Sequence, residues 1–442
     1  MIDAGSRQIE IIAVSGESRD AVRARLTEMD LTDDSPWPQK EFAAQAKRFR
    51  DEFNPEDFSR VLMVVRRGEP FGPLLHHAVA FLNDPEKLEF KPPAGVFYGE
   101  GKVPGKIAFL FPGQGSQYIG MGYDLVDAFP RAATVFDAIK PMFKQEQSLR
   151  RFIYPAMAVE PGEKSRLEGL LRQTEVAQPA IGAISLIMMN ILSTFQVFPE
   201  SAAGHSFGEL SALCAGKRIN ETDFLSLSVW RGRLMADACG ADKGQMLAVK
   251  AHPDAIEQLV KESGADVVVA NKNSPEQGVL SGSSPEIEKM LNVCKEQRIR
   301  AMLLPVYAAF HSRMVSDAAD GFGRKIDAVD ILPESIPVYS NKTALPYPAD
   351  AQEARRLLGT HLVSPVRFMD QINNMYDDGV RVFVEVGPKN VLTGLVNAIL
   401  KGRLFKAFSI DASSGKQGGV HDLAAALCCL GAAGYPVDFR AW

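Results

Sequence analysis

Gly204-His205-Ser206-Phe207-Gly208 runs directly into Glu209-Leu210-Ser211-Ala212-Leu213-Cys214-Ala215, a G-x-S-x-G turn that opens a helix-forming segment. In such a nucleophile elbow the serine sits on a sharp turn, and glycines two residues to either side leave room for the backbones that crowd it. The chemistry this suggests is acyl transfer through a covalent serine ester. A chain with 36 glycines also meets the pattern by accident, as an ordinary turn before a helix. The flanking sequence has to decide.

Working outward, Lys106-Ile107-Ala108-Phe109-Leu110-Phe111 is a near-continuous apolar run of the kind expected for a strand buried on both faces. Its alternation with helical segments, as in Val176 to Phe195, predicts a parallel α/β core over 105–240. The rhythm changes over 244–306, where Met246 to Val249 reads as strand, Ala255 to Lys261 as helix, Val267 to Ala270 and Gly278 to Ser281 as strands, Pro285 to Gln297 as helix and Ala301 to Val306 as strand. That β-α-β-β-α-β order is the ferredoxin-like unit. Inserted beside the core, it creates a cleft at the junction, a common place for a substrate pocket. The core resumes over 307–410 with Val338 to Asn341 and Val380 to Val386, and 411–442 closes with the apolar helix Leu423 to Leu430.

Residues 1–100 read as a separate small α/β module. Gln8 to Val14 is a strand, Ser18 to Met29 a helix and Val61 to Val65 another strand, with a polar, Pro-containing stretch between. Phe90-Lys91-Pro92-Pro93-Ala94-Gly95 marks the boundary. The module holds no nucleophile or ligand cluster, and its adjacent His76 and His77 are expected on a helix surface. The fold class is therefore α/β: an α/β-hydrolase-like parallel-sheet core with an inserted ferredoxin-like subdomain, preceded by a small α/β linker domain.

Composition removes several function classes. The 49 Lys+Arg against 54 Asp+Glu leave a net charge of -5 without a basic tract, which argues against nucleic acid or an anionic membrane as a partner. The five cysteines, Cys214, Cys239, Cys294, Cys428 and Cys429, lack C-x-x-C spacing and flanking histidines, so buried free thiols in a reducing compartment are expected and a metal site is not. Met1-Ile2-Asp3-Ala4-Gly5 has no basic n-region, and the longest apolar run, Ile181 to Leu192, is too short by itself to span a bilayer. A soluble, cytoplasmic protein is the expectation.

Immediately after the first core strand comes Phe111-Pro112-Gly113-Gln114-Gly115-Ser116-Gln117. A dinucleotide fingerprint would need its third glycine at 118, which is Tyr118. The loop is instead suited to supply backbone N–H donors for an oxyanion, together with the N–H of Phe207 after the serine. Of seven histidines, His205 is a poor base for Ser206 because successive side chains diverge. His311, in Tyr307-Ala308-Ala309-Phe310-His311-Ser312, follows the last strand of the inserted unit and is the better candidate.

Taken in order, Gly113-Gln114-Gly115-Ser116-Gln117, Gln178-Pro179-Ala180, Gly204-His205-Ser206-Phe207-Gly208-Glu209, Arg231-Gly232, Ala309-Phe310-His311-Ser312, Ser340-Asn341 and Glu385-Val386-Gly387-Pro388 resemble malonyl-CoA:acyl carrier protein transacylases and the acyltransferase domains of polyketide synthases. The resemblance is close over about 105–405. Residues 1–100 look like the linker between ketosynthase and acyltransferase, Gly434 to Phe439 like the segment after the acyltransferase, and Phe207 like the iterative polyunsaturated-fatty-acid or enediyne type. A linker without a ketosynthase cysteine motif suggests a piece of a larger synthase.

The resemblance implies Ser206 as nucleophile, His311 as base, and Gln114 and Phe207 as the oxyanion hole. It implies Arg231 as the group that grips the malonyl carboxylate, with Gln178, Phe310, Ala309, His205 and Asn341 around the substrate. The imidazole would be oriented by a backbone carbonyl, expected near Gly387 to Val391. No bound cofactor is implied; malonyl-CoA is the donor and the phosphopantetheine of an acyl carrier protein the acceptor, with a ketosynthase domain adjacent. Three readings stay open at this point. Transfer of malonyl or another acyl group is the first, hydrolysis by a thioesterase or esterase on the same elbow the second, and a docking unit with a decayed site the third.

Overall fold

Ile9–Gly16 (β1) and Ser59–Arg66 (β2) pair antiparallel from Ile9↔Arg66 to Gly16↔Ser59, and Val96–Glu100 (β3) adds to the other edge of β2. The computed structural model describes residues 8–28, 39–83, 95–143, 148–155, 161–237, 243–305 and 308–442. The Met1 to Gly5 start, most of the expected Phe90 to Gly95 boundary, Cys239, Val306 and Tyr307 lie outside them. Ser18 caps the first helix, Arg19–Thr27, by accepting from Ala21 N. The polar stretch that follows contains an unforeseen helix, Gln39–Glu52, whose Arg50 makes a buried ion pair with Glu10 at 2.8 Å. His76 and His77 lie exposed on Gly72–Leu82.

This module is not free of the chain's far end. The helix Gly419–Ala432 packs on β1, β2 and β3. Arg60, fully buried, donates to the carbonyls of Ala432 at 3.1 Å and Gly101 at 2.8 Å. A buried guanidinium is tolerated only where carbonyls replace its water. Here they come from both ends of the sequence.

The central sheet is parallel throughout, in the order Val338–Tyr339 (β10), Ser201–Gly204 (β5), Lys106–Phe111 (β4), Val380–Glu385 (β11) and Lys406–Ser409 (β12). β5 is only SAAG and carries no periodic apolar signal, yet its four residues are buried. The helix Gly208–Ala215 packs on β4 and β5, and the helix Thr174–Thr194 packs against it and against Glu221–Asp237. At 21 residues it is long and apolar enough to cross a membrane, unlike the Ile181 to Leu192 run alone, because Thr174 to Ala180 continue the helix through Pro179. Most of it is buried inside the protein.

The inserted unit is the antiparallel sheet Val267–Ser274 (β7), Gln277–Gly282 (β8), Gln245–Val249 (β6) and Ala301–Leu303 (β9), with helices Pro253–Ser263 and Ser284–Glu296 on one face. In chain order its strands lie 2-3-1-4, the ferredoxin-like arrangement. β7 also touches the core, through bonds from Lys272 N to Val366 O (2.9 Å) and from Val366 N to Ala270 O (2.8 Å). The register of the core sheet then fixes where loops emerge. Phe111 pairs with Gly204, Leu110 with Ala203 and with Glu385, and Ala203 with Tyr339. The turns after β4, β5, β10 and β11 therefore share one carboxyl edge, where open parallel sheets place their ligands.

Candidate active site

The turn after β5 holds Ser206 at φ +51°, a left-handed backbone that a side chain makes costly. Two devices hold it there. A Cβ on Gly208 would lie 1.9 Å from the Phe111 carbonyl oxygen, so only glycine lets the elbow sit against β4. Asn341, after β10, accepts from Ser206 N at 2.7 Å and donates to Gly204 O at 2.6 Å. Both ends of that buried amide are thus engaged by the protein, so Asn341 shapes the turn.

Ser206 Oγ lies 2.7 Å from His311 Nε2. His311 is buried and is itself left-handed, at φ +59°. Its Nδ1 donates to the carbonyl oxygens of Ser364 at 2.9 Å and His361 at 3.3 Å. Carbonyls only accept, so the ring proton is on Nδ1 and the Nε2 lone pair faces the hydroxyl. Burial, reinforced by Arg231 and His205, drives the imidazole down to about 3, so at neutral pH it is uncharged and free to accept a proton.

The orienting carbonyl thus corrects the expectation of Gly387 to Val391. That segment supports a different part of the site: Lys389 Nζ donates to Gly115 O at 2.9 Å, and Gly387 lies against Pro112. Ser364 precedes Pro365, which keeps it extended at φ -105°, ψ 149° and turns its carbonyl out of the local chain. A Ser-Pro pair after a helix was the available signal, and nothing in its spacing from His311 marks it as a partner.

The loop after β4 reaches the elbow. A Cβ on Gly113 would lie 2.4 Å from His205 O and 3.6 Å from Phe207 N, which places Gln114 beside the serine turn. Neither the Gln114 N–H nor the Phe207 N–H has an acceptor among the described residues. Two adjacent free donors next to a serine hydroxyl are what an oxyanion requires. The Gln114 side chain is anchored sideways, to Arg172 O at 3.4 Å and Thr174 Oγ1 at 3.3 Å. Gln178, fully buried, approaches Gln114 Oε1 at 3.5 Å and Met235 Sδ at 3.4 Å.

Arg231 is only 1% exposed, against an expectation of the helix surface for any arginine in such a helix. Its Nη2 points at Ser206 Oγ from 3.3 Å and its Nε donates to His361 Nε2 at 3.0 Å. His361 is fixed in turn by Nδ1 donating to Leu358 O at 2.6 Å. No carboxylate forms an ion pair with Arg231 among the described residues. Burial lowers the guanidinium to about 9, opposed by Glu209. A buried cation with Glu209 nearby but no ion-paired carboxylate among the described residues, aimed at a nucleophile, is suited to an anion brought by a substrate.

Residues 108–414 match the acyl transferase domain family. The chain is an acyl transferase of that family. A malonyl CoA-acyl carrier protein transacylase from Bacillus subtilis (strain 168) is 36% identical over 299 residues, 66% of this chain and 90% of the relative. A polyunsaturated fatty acid synthase polypeptide from Thraustochytrium sp. is 31% identical over 71% of this chain, which corresponds to 11% of that much longer relative. Among solved structures, the acyltransferase domain of the iterative polyketide synthase in enediyne biosynthesis is 25% identical with a TM-score of 0.73, covering 98% of each chain. The match includes the β1–β3 module.

The remaining candidates adjoin Ser206 and His311 in the acyl transferase chain. Phe310 is buried beside His311, with Ala308 and Ala309 fully buried behind it. Ser312 Oγ closes the turn on Ala309 O at 2.7 Å. His205 points away from the serine, its Nε2 2.8 Å from Asn273 Oδ1 on β7 and its ring against Phe368. His361, Ser364 and Asn273 carry no motif, and reading the sequence alone missed all three. Among the described residues, no group of three or more His, Cys, Asp or Glu side chains is arranged to hold a metal ion.

Proposed function

We propose that this acyl transferase moves a malonyl unit from coenzyme A to the phosphopantetheine thiol of an acyl carrier protein, in polyketide or fatty-acid synthesis. The observation that carries the reading is Arg231: a buried guanidinium with Nη2 3.3 Å from Ser206 Oγ and no carboxylate in ion-pair contact among the described residues. Malonyl differs from a plain acyl group by one free carboxylate, and a planar guanidinium is the side chain that matches it. A hydrolase for plain acyl chains gains nothing from burying that charge.

In the first half-reaction Ser206 Oγ attacks the thioester carbonyl while its proton passes to His311 Nε2. The oxyanion receives the N–H groups of Gln114 and Phe207. Collapse breaks the C–S bond, and the coenzyme A sulfur leaves with the proton from His311. In the second half the carrier's thiol attacks the seryl ester by the reverse path, again with His311 taking and returning one proton. Ping-pong kinetics follow. The chain's own residues supply every group in this sequence, with no bound cofactor assigned a step.

The partners in this reading are the coenzyme A thioester, the acyl carrier protein and a neighbouring ketosynthase domain, for which the β1–β3 module is the connecting element. We place the protein in the cytoplasm, a choice supported by acyl-CoA as donor and by Cys214, Cys294, Cys428 and Cys429 as free thiols. Intact-protein mass spectrometry after brief mixing with malonyl-, methylmalonyl- and acetyl-CoA tests the activity. Malonyl on wild-type protein and none on Ser206→Ala supports it. A protein that takes no acyl group, or releases all of it to water with carrier present, overturns it.

A further inference from the structure

The elbow has a support that its G-x-S-x-G pattern does not predict. Glu209, first-turn residue of the helix Gly208–Ala215, is fully buried. Its Oε1 accepts from Asn341 N at 3.1 Å and from the Tyr347 hydroxyl at 2.6 Å. The same Asn341 holds Ser206 N and Gly204 O through its side chain. A chain of short bonds thus runs from Tyr347 through Glu209 and Asn341 to the backbone N–H of the serine. It does not pass through any residue that touches the reacting atoms except Ser206.

We propose that Glu209 is a positioning residue for acyl transfer, fixing the backbone of Asn341 so that its amide holds Ser206 in the left-handed conformation required for attack. This rests on the transfer activity proposed above. A left-handed serine needs continuous support, because its backbone is otherwise higher in energy. Asn341 supplies that support only if its own backbone is immobile. Glu209 and Tyr347 are the groups that immobilise it from below, while the bond from Arg367 N to Asn341 O at 2.9 Å does so from the other side. Burial pushes the Glu209 carboxyl up to about 7 against its hydrogen-bond donors and Arg231, so near neutral pH the position already holds the uncharged form part of the time.

Function then follows acceptor geometry more than charge. Glu209→Gln keeps an acceptor oxygen and is expected within about threefold of wild type. Glu209→Ala removes it and should lower kcat on the order of 100-fold, the usual consequence of misplacing a nucleophile by about 1 Å, with KM for malonyl-CoA little changed. Tyr347→Phe, which removes one hydroxyl and leaves the Asn341 bond, should fall between. The decisive measurement is a double-mutant cycle with Asn341→Ala, run on kcat and on the rate of Ser206 modification by a fluorophosphonate. Glu209→Ala should add nothing to Asn341→Ala in either assay. Additive losses, or a KM that rises as much as kcat falls, would overturn the proposal. Should Glu209→Ala fail to fold, Tyr347→Phe with Asn341→Ala gives the same cycle. Fluorophosphonate reactivity does not depend on which acyl group the enzyme uses, so failure of the malonyl reading leaves this test intact.

Discussion

Replacing Arg231 by alanine separates recognition from chemistry. The guanidinium is 1% exposed, and a malonyl carboxylate brought against it leaves water on binding. Removing one partner of such a buried pair costs about 3–5 kcal/mol, equivalent to roughly 10²–10⁴-fold in rate. The variant also loses two donors used by the resting enzyme, one to Ser206 Oγ at 3.3 Å and one to His361 Nε2 at 3.0 Å. Those losses fall equally on every acyl donor and cancel in a ratio. The quantity to measure is therefore kcat/KM for malonyl-CoA divided by that for acetyl-CoA, from quenched-flow formation of the acyl-enzyme. It should fall by roughly 10²–10⁴ in Arg231→Ala. Arg231→Lys should recover part of it, because the charge returns without the two parallel donors. A ratio unchanged by the substitution would refute the assignment and make Arg231 a structural residue.

Ser206→Ala should abolish acyl-enzyme formation with the fold retained; persistent labelling by malonyl-CoA would move the nucleophile elsewhere. His311→Ala should lower transfer on the order of a thousandfold or more, since serine without its base is a weak nucleophile; a normal rate would turn attention to His205. Phe310→Ser should narrow a malonyl preference over methylmalonyl of roughly 10–200-fold, as expected of a ring that excludes one methyl group; competition between the two donors reads this directly. Burial keeps His205, His311 and His361 neutral, each below its ordinary value of 6.5. Below that value the unfolded chain binds protons that the fold refuses, so stability should drop as pH falls from about 6.5 toward 3 in urea titrations, and a flat profile would show these rings to be solvated.

The legible parts of this protein are those whose physics is local. A strand buried on both faces must be apolar throughout, so Lys106–Phe111 announced a parallel core. The 245–303 strands and helices alternate within short spans, so their ferredoxin-like order could be read without knowing any tertiary contact. β5 could not, because four small residues are enough for a strand whose neighbours on both sides supply the bonds. The helix Gln39–Glu52 was hidden for a related reason: its polar face dominates its composition, and what places it is tertiary, Ala46 and Phe49 in the module's core and the buried pair of Arg50 with Glu10.

The site divides along the same line. Ser206, Gln114 and Phe207 lie in glycine-marked turns, where backbone constraint leaves a trace in the sequence. Arg231, His361 and Ser364 act through distances of 25 to 158 residues from Ser206, and ordinary helix and loop residues serve there as well as any. What distinguishes them is a shortage that only the folded chain reveals. Among the described residues Arg231 has no ion-paired carboxylate, and the Gln114 and Phe207 N–H groups have no acceptor. The Ser206 hydroxyl, by contrast, already has its base at 2.7 Å. A catalyst ready for the acyl carbon yet lacking one anion and one acceptor is complementary to a thioester that carries a carboxylate, and the missing groups are those the malonyl unit brings.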